Sequence, residues 1–290
     1  AHSLKFGHNV ANSYRAFRIT EMLEQGERFS ADDLHRMQLD SKSEFYRFYQ
    51  QLLLSALTGD GATQNPSLVK IKKAVENWDG HANADSIGFG ILTEFRRRLA
   101  NTVFSPYVQE CKNLDPNFRY RWYQMDTPLK ALLSQQIPET LPEGLKYDSW
   151  NDLILDVLVQ TSDTIERRFP GVDPERLEWG QMESFQLKKP FSRASEWLGY
   201  FLDLPEKPIS GCVHCVRVSK SKFAASMRMV VSPGYEDEMI LVEPTGQSGH
   251  PFSRHYRDKF HYWVNGLPVT VNGDKDSSRL ILIPDHETSR

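Results

Sequence analysis

The sequence predicts an α+β fold, with helices in the first two-thirds and short antiparallel strands in the last third. Apolar residues recur at helical spacing up to about residue 205, and beyond it they alternate with polar residues. Gly, Pro and Asp interrupt the alternating segments. The 290 residues suffice for one large domain or two ordinary ones. We therefore expect a helical region over 1–205, followed by strands and one helix over 206–290.

Six segments of the helical region have the spacing of amphipathic helices. They are 9–26, 31–40, 43–57, 65–78, 84–104 and 150–169. The last is the clearest, because Ile154, Val157 and Ile165 lie on one stripe and the opposite face is charged. Asn65 precedes a proline and reads as an N-cap of its helix. The pattern predicts a layer of helices that each bury one face.

The last third contains short stretches rich in β-branched residues, which predict antiparallel strands. They are CVHCVRVSK (212–220), SMRMVVSP (226–233), EMILVEP (238–244), LPVTV (267–271) and RLILIP (279–284). Between them, 253–266 is predicted to form one helix that Ser253 caps and Gly266 ends.

Composition excludes two classes of partner. The net charge of −3 gives no broad basic surface for a phosphate backbone, so we expect no nucleic acid. No apolar run reaches the roughly 18 residues that cross a bilayer, so we expect no membrane span. The first residues resemble no signal peptide and include no initiator Met, which leads us to expect a piece of a longer protein.

The cysteines favour a structural role over a metal or redox site. Cys212 and Cys215 have the spacing of a dithiol or of half a zinc site, but no second pair of ligands follows at the usual spacing. In a strand their side chains would point to opposite faces, because their separation is odd. We therefore expect both to be free thiols unless a bulge brings them together.

Other candidate residues do not predict an enzyme by themselves. Around His250, His255 and His261 we favour interface or capping roles over catalysis, since the last two lie about 120° apart on a helix. The triplet Arg96–Arg98 is predicted to be a solvated helix face. The sequence contains no GxSxG, P-loop, Rossmann or HExxH motif.

Six strings, taken in order, resemble the penicillin acylase family. They are SYRAFRITEMLEQ, FSADDLHRMQLDSKS, VENWDGHANADS, LEWGQMESFQL, SMRMVV and GQSGHPFSRHYRDKFHYW. This family of N-terminal-nucleophile amidohydrolases also includes acyl-homoserine-lactone and cephalosporin-type acylases. Each string is weak alone, but the set spans nearly the whole chain in the family's order. In the family, the segment of the last string is mainly architecture.

The resemblance implies a four-layer αββα sandwich with a helical region attached. It also implies hydrolysis of an acyl amide, such as penicillin or an N-acyl-homoserine lactone, to a carboxylic acid and an amine. The family's nucleophile is an N-terminal Ser whose own amine acts as base. Ala1 cannot take that role, so we expect the C-terminal part of a β-chain whose partners are the missing α-chain and the start of the β-chain. The alternative is a non-catalytic helical interaction module.

One functional residue of the family falls on Arg15, which the resemblance places near the nucleophile. Arg18 is the rival if the register differs by one helical turn. No cofactor is expected; a structural Ca²⁺ in the complete enzyme is implied, but its local position falls near Leu4 and not on a carboxylate. The family also implies a periplasmic or secreted protein and a small acyl-amide substrate.

Overall fold

The computed structural model describes residues 12–58, 65–119, 125–271 and 281. These residues fall into two compact units. The first unit comprises Ala1–Arg28 and Met37–Ala225, and the second comprises Phe29–Arg36 and Ser226–Arg290. The predicted domain boundary at residue 205 stays a prediction.

The first unit is built from helices joined by short turns. They are α1 (Tyr14–Leu23), α3 (Glu44–Ala56), α4 (Pro66–Glu76), α5 (Phe89–Leu114), α6 (Asp126–Gln135), α7 (Trp150–Arg168), α8 (Trp179–Met182) and α9 (Glu196–Leu202); α2 (Ala31–Gln38) belongs largely to the second unit. Single 3-10 turns occur at Pro138–Thr140, Pro174–Arg176 and Pro190–Arg193.

The core of the first unit lies where α3, α4, α5 and α7 pack against one another. Tyr49, Phe89 and Leu158 are completely buried there. The stripe of α7 that the spacing predicts is buried along its length, because Ile154, Val157 and Ile165 all face this core. Burial of one such face, at about 25 cal/mol per Å² of apolar surface, is the main stabilisation of these helices.

Two predicted helix starts are confirmed in atomic detail. The Asn65 side chain accepts hydrogen bonds from the backbone N–H groups of Ser67 (3.0 Å) and Leu68 (3.4 Å). Ser149 likewise accepts from Asp152 N at 3.1 Å. Each cap satisfies a donor that the first turn of a helix leaves unpaired.

The predicted helix 84–104 begins later and ends later than the spacing suggests. The carbonyls of Ala84 and Ser86 accept from the backbone N–H groups of Gly180 (2.7 Å) and Trp179 (2.9 Å), so they cannot enter a helix. The helix α5 begins after Gly88, whose φ of +85° favours glycine. It then continues past Pro106 to Leu114.

The predicted strand 212–220 is only partly correct. Strand β1 (Ser219–Lys220) pairs antiparallel with β2 (Phe223–Ala224). Residues before it form a turn instead, in which Cys215 N donates to Cys212 O at 3.2 Å. A bond across three residues is incompatible with an extended strand.

In the second unit, β3 (Arg228–Val230) pairs antiparallel with β4 (Ile240–Val242), within two predicted strands. Of the predicted strand 267–271, only Thr270 forms a bridge, opposite Ile240. The predicted strand 279–284 lies outside the described residues except for Ile281. On α2, His35 donates through Nε2 to Gly266 O at 3.0 Å and is buried.

The single helix predicted over 253–266 is wrong; only α10 (Phe260–Asn265) is helical. The carbonyls of His255 and Tyr256 accept from Ser248 N (3.1 Å) and Gly246 N (3.0 Å), which removes them from a helical ladder. The α+β class is confirmed, and helical residues far outnumber strand residues in the described part of the chain. Among the described residues, no helix is both long and apolar enough to cross a membrane.

Candidate functional site

The candidate site lies at the start of α1, where Arg15 is the second helical residue and is exposed. Arg18, one turn later, donates from Nε to Asp40 Oδ2 at 2.8 Å and from Nη1 to Glu21 Oε2 at 2.6 Å. The hydrogen bond to Asp40 raises the Arg18 pKa above its usual value. Within the described part of the chain, no hydrogen bond or ion pair engages Arg15. Arg18 is therefore paired with two carboxylates, whereas the charge of Arg15 is exposed and unpaired within the described residues.

An aromatic cluster lies beside the first turn of α1. We call it the His214 cluster, and it comprises Tyr14, Phe45, Tyr46, Tyr49 and His214. The imidazole stacks on Phe45 with ring centroids 3.7 Å apart and planes 19° apart. Tyr14 and Tyr46 meet it edge-on at 6.5 and 6.0 Å. Edge-to-face and offset-stacked rings are the favoured arrangements of aromatic side chains.

Two cations border the His214 cluster. Lys130 donates from Nζ to Tyr14 Oη at 2.6 Å and lies 5.0 Å from the ring centroids of Tyr14 and Phe45. Arg96 lies 5.9 Å from the Phe45 ring and pairs with the buried carboxylate of Asp126. Burial raises the pKa of that carboxyl, although Arg96 opposes the shift. With Arg15 on α1, the surroundings of the cluster are positively charged.

The His214 imidazole stays neutral in this environment. Burial is the main cause that lowers its pKa. The positive charges of Arg96, Arg15 and Lys130 lower the pKa further, to about 3. Asn12 Nδ2 lies 3.2 Å from His214 Nδ1, and because an amide N–H₂ can only donate, Nδ1 accepts. A histidine with so low a pKa cannot serve as an acid or base near neutral pH.

The prediction of free thiols at Cys212 and Cys215 is wrong, because the two form a disulfide with a Cα–Cα distance of 5.1 Å. The turn described above brings the side chains together, whereas a strand would separate them. Both residues are buried. Cys111 is the free cysteine, and no group of residues in the described part of the chain could hold a metal ion.

The prediction of a solvated face for the arginine triplet holds only for Arg97, which is 54% exposed. The side chains of Arg96 and Arg98 are 14% and 19% exposed. Arg98 donates to Glu94 and to Thr164 of α7, so these charges face other helices. The spacing of the three arginines does not reveal the buried carboxylates Glu94 and Asp126 that pair with them.

The three histidines of the C-terminal segment bond locally. His255 Nδ1 lies 2.9 Å from Asp258 Oδ2, and Asn265 Nδ2 lies 3.0 Å from His261 Nδ1. His250 Nδ1 accepts from Phe252 N at 3.3 Å. Each contact stays within one turn of the chain, as expected for structural roles.

The last string, GQSGHPFSRHYRDKFHYW, forms a close backbone approach. A Cβ added at Gly246 would overlap the carbonyl oxygen of His255. Only glycine fits there without displacement of the neighbouring backbone. Gly246 is therefore needed for this close packing, whereas a Cβ at Gly249 would meet nothing within 4 Å.

A surface depression of about 430 Å³ at α1 is lined by Ser13, Tyr14, Phe17, Glu21 and Glu44. Phe17 is 63% exposed there, which is unusual for so large an apolar side chain. The exposed side of α1 thus combines the apolar Phe17, the cation of Arg15 and, within the depression, the carboxylates of Glu21 and Glu44.

Sequence reasoning did not find His214. A buried aromatic cluster with a histidine 202 residues from its hydrogen-bond partner leaves no local signature. The one available signal was the CxxC spacing, since a disulfide across two residues forces a turn that carries the intervening side chains.

A model of the family described as penicillin amidase matches residues 1–278. The penicillin acylase 2 proenzyme of Pseudomonas sp. (strain SE83) is 23% identical over 288 residues, which cover 92% of this chain and 34% of that protein. The acyl-homoserine lactone acylase QuiP of Pseudomonas aeruginosa is 22% identical over 310 residues, covering 91% of this chain and 35% of that protein. The chain spans about a third of the length of these curated relatives. Because the family model covers nearly all of its residues, the chain belongs to the penicillin amidase family.

Proposed function

We propose that the chain is the C-terminal part of an N-terminal-nucleophile amidohydrolase. The complete protein would adopt the αββα sandwich and hydrolyse an acyl amide to a carboxylic acid and an amine. The family match supports this, as do relatives named for acylases of penicillin and of acyl-homoserine lactones. Their greater length is consistent with further segments in the complete protein.

The observation that carries the proposal is the state of Arg15. Its charge is exposed at the start of α1 and has no partner in the described residues, whereas Arg18 is held by Asp40 and Glu21. A cation that its own fold does not neutralise can stabilise negative charge that develops on a substrate. In this proposal Arg15 faces the reaction centre and Arg18 holds α1 in place.

The reacting hydroxyl and its amine belong, in this proposal, to another segment of the complete protein. The Ser hydroxyl attacks the amide carbonyl while its own α-amino group takes the hydroxyl proton. The C–N bond of the substrate then breaks, and the substrate's amine leaves with that proton. Water hydrolyses the remaining acyl ester, which releases the carboxylic acid and regenerates the Ser. Arg15 contributes positive potential near the oxyanion. No cofactor takes part, and any structural Ca²⁺ is held by ligands elsewhere. The Cys212–Cys215 disulfide supports a periplasmic or secreted location, where disulfides persist.

The test is the kinetics of Arg15→Ala in the complete protein, with phenylacetyl, aliphatic acyl and acyl-homoserine-lactone amides as substrates. Loss of one stabilising group at an oxyanion costs roughly 10²–10³ in kcat, so we expect a fall of about that size. The melting temperature should stay within about 2 °C, because exposed charges contribute little to stability. Arg36→Ala is the control, because Arg36 is also exposed on a helix but pairs with Asp33.

Normal kinetics in Arg15→Ala, together with an inactive but folded Arg18→Ala, would transfer the role by one helical turn. Normal kinetics in both variants would remove the proposal for this helix. The 290-residue chain alone should release no product from the same amides. Activity that followed the intact chain through gel filtration would place the nucleophile inside this sequence and contradict the mechanism.

A further inference from the structure

Backbone hydrogen bonds hold both ends of loop 211–217, which carries His214. Gly211 N donates to Ala82 O at 2.6 Å, and Arg217 N donates to Asp40 O at 2.8 Å. Cys212 N donates to Arg217 O at 3.2 Å and so closes the loop on itself. Asp40 therefore binds both the end of this loop, through its backbone carbonyl, and Arg18 of α1, through its side chain.

The disulfide closes the same loop a second time, directly around His214. It joins the residues on either side of Val213 and His214, and both sulfurs are buried. Cys215 Sγ lies 3.2 Å from Ser41 O, and Cys212 Sγ lies 3.7 Å from Ser43 Oγ. The disulfide therefore contacts the segment that leads into α3. Thiol reagents have little access to sulfurs so deeply buried, which favours a structural clamp over thiol exchange.

The imidazole of His214, within the disulfide-closed loop, contacts the chain just before α1. Its face packs on Phe45, and its Nδ1 accepts from Asn12, three residues before Arg15. The neutral ring can keep both contacts at any working pH, because its pKa lies near 3. His214 thus links a disulfide-closed loop to the residues where α1 begins.

We propose that His214 is a positioning residue: clamped by the Cys212–Cys215 disulfide, it holds Asn12 and the first turn of α1 so that Arg15 faces the reaction centre. This inference rests on the proposed function of Arg15. It assigns to the CVHC loop a role that neither cysteine nor histidine chemistry alone would provide. His214 itself touches no reacting atom.

The first experiment measures α1 directly and does not depend on activity. In the complete protein, amide hydrogen exchange over residues 14–23 should become faster in His214→Ala, and also in the double variant Cys212→Ser/Cys215→Ser. Cys111→Ser, which alters a cysteine outside the disulfide, should leave that exchange unchanged. Unchanged exchange in both loop variants would overturn the inference even if Arg15→Ala is inactive.

The second experiment is kinetic. His214→Phe keeps an aromatic face on Phe45 and removes the acceptor for Asn12. A misplacement of about 1 Å costs up to about 10²-fold in rate, so we expect kcat to fall by about 10- to 100-fold while KM changes less than about threefold. His214→Asn, which keeps a side-chain acceptor, should recover part of the loss. The pH profile should keep its shape, since the imidazole does not titrate in the working range.

The double variant Arg15→Ala/His214→Phe decides whether His214 acts through Arg15. If it does, the double variant is no slower than Arg15→Ala alone, because the two residues form one unit. Losses that multiply would overturn the inference while leaving the proposed function of Arg15 standing. A pH profile that loses a limb in His214→Phe would also overturn it, because that result requires a proton-transfer role.

Discussion

Glu94 is a buried carboxylate whose charge depends on two neighbouring arginines. It is 5% exposed, and it accepts from Arg97 Nη2 at 2.5 Å and from Arg98 Nε at 2.8 Å. Burial alone would raise its pKa, but the hydrogen bonds and charges of the two arginines outweigh burial and lower the pKa below the usual 4.5. This carboxylate is therefore more acidic in the folded protein than in the unfolded chain.

From this shift follows a prediction of acid sensitivity. The folded state binds fewer protons at Glu94 than the unfolded state does, so the contribution to stability is present above about pH 4.5 and is lost as pH falls through the folded pKa. Glu94→Gln should lower the melting temperature at neutral pH and flatten its decline below about pH 5. Thermal unfolding from pH 7 to pH 3 tests this, with Glu76→Gln at an exposed site as control; equal slopes in wild type and Glu94→Gln would contradict it.

At the scale of single elements, the turn that carries His214 begins at Gly211, where the backbone leaves no room for a side chain. Its φ is +118°, and an added Cβ would overlap the carbonyl oxygen of Arg217. Gly144 also has a positive φ, of +79°, but a Cβ there would meet nothing within 4 Å. A comparison of alanine substitutions at these two glycines therefore distinguishes the cost of backbone strain from the cost of steric overlap.

Gly211→Ala should cost more stability than Gly144→Ala. Each substitution places alanine at positive φ, at a cost of roughly 1–3 kcal/mol, and only Gly211→Ala adds the overlap with Arg217. Urea unfolding of both variants measures the difference. The Gly211 variant should also speed amide exchange at residues 14–23, since its loop carries His214. Equal losses of stability in the two variants would show that the loop shifts to accept a side chain.

At the scale of the whole molecule, one group of aromatic side chains in the first unit is exposed together. Phe191, Trp197 and Tyr200 are 75%, 69% and 80% exposed, and α9, which carries the last two, buries none of its residues. The 3-10 turn Pro190–Arg193 packs against α9 and places Phe191 on the same element pair. Large apolar side chains exposed on two packed elements are candidates for an interaction surface.

The isolated chain should therefore self-associate through this surface. Trp197→Lys/Tyr200→Lys should shift it toward monomer in sedimentation velocity at micromolar concentration. Leu114→Lys replaces an exposed leucine at the end of α5 and should leave the association unchanged. If the double lysine variant associates as strongly as the wild type, another surface is responsible.

Local spacing predicted the helices well, because a helix of amphipathic sequence needs only its own residues to define its buried face. The stripe of α7 is an example, and the predicted cap Asn65 is confirmed as well. The prediction failed at 253–266, where the carbonyls of His255 and Tyr256 bond to a segment that helical spacing ignores. Arg15 was assigned by resemblance, and its role stays a prediction.

The sequence by itself determined the α+β class, the order of six helical segments, the buried stripe of α7, and the family. Only the tertiary structure decided that Arg18 is committed to Asp40, that Arg96 is buried against Asp126, and that Cys212 and Cys215 are joined. It also brought His214 to Asn12 across 202 residues. Periodicity records which side of an element is buried, whereas such pairings depend on how distant elements pack, and no spacing within one segment records that.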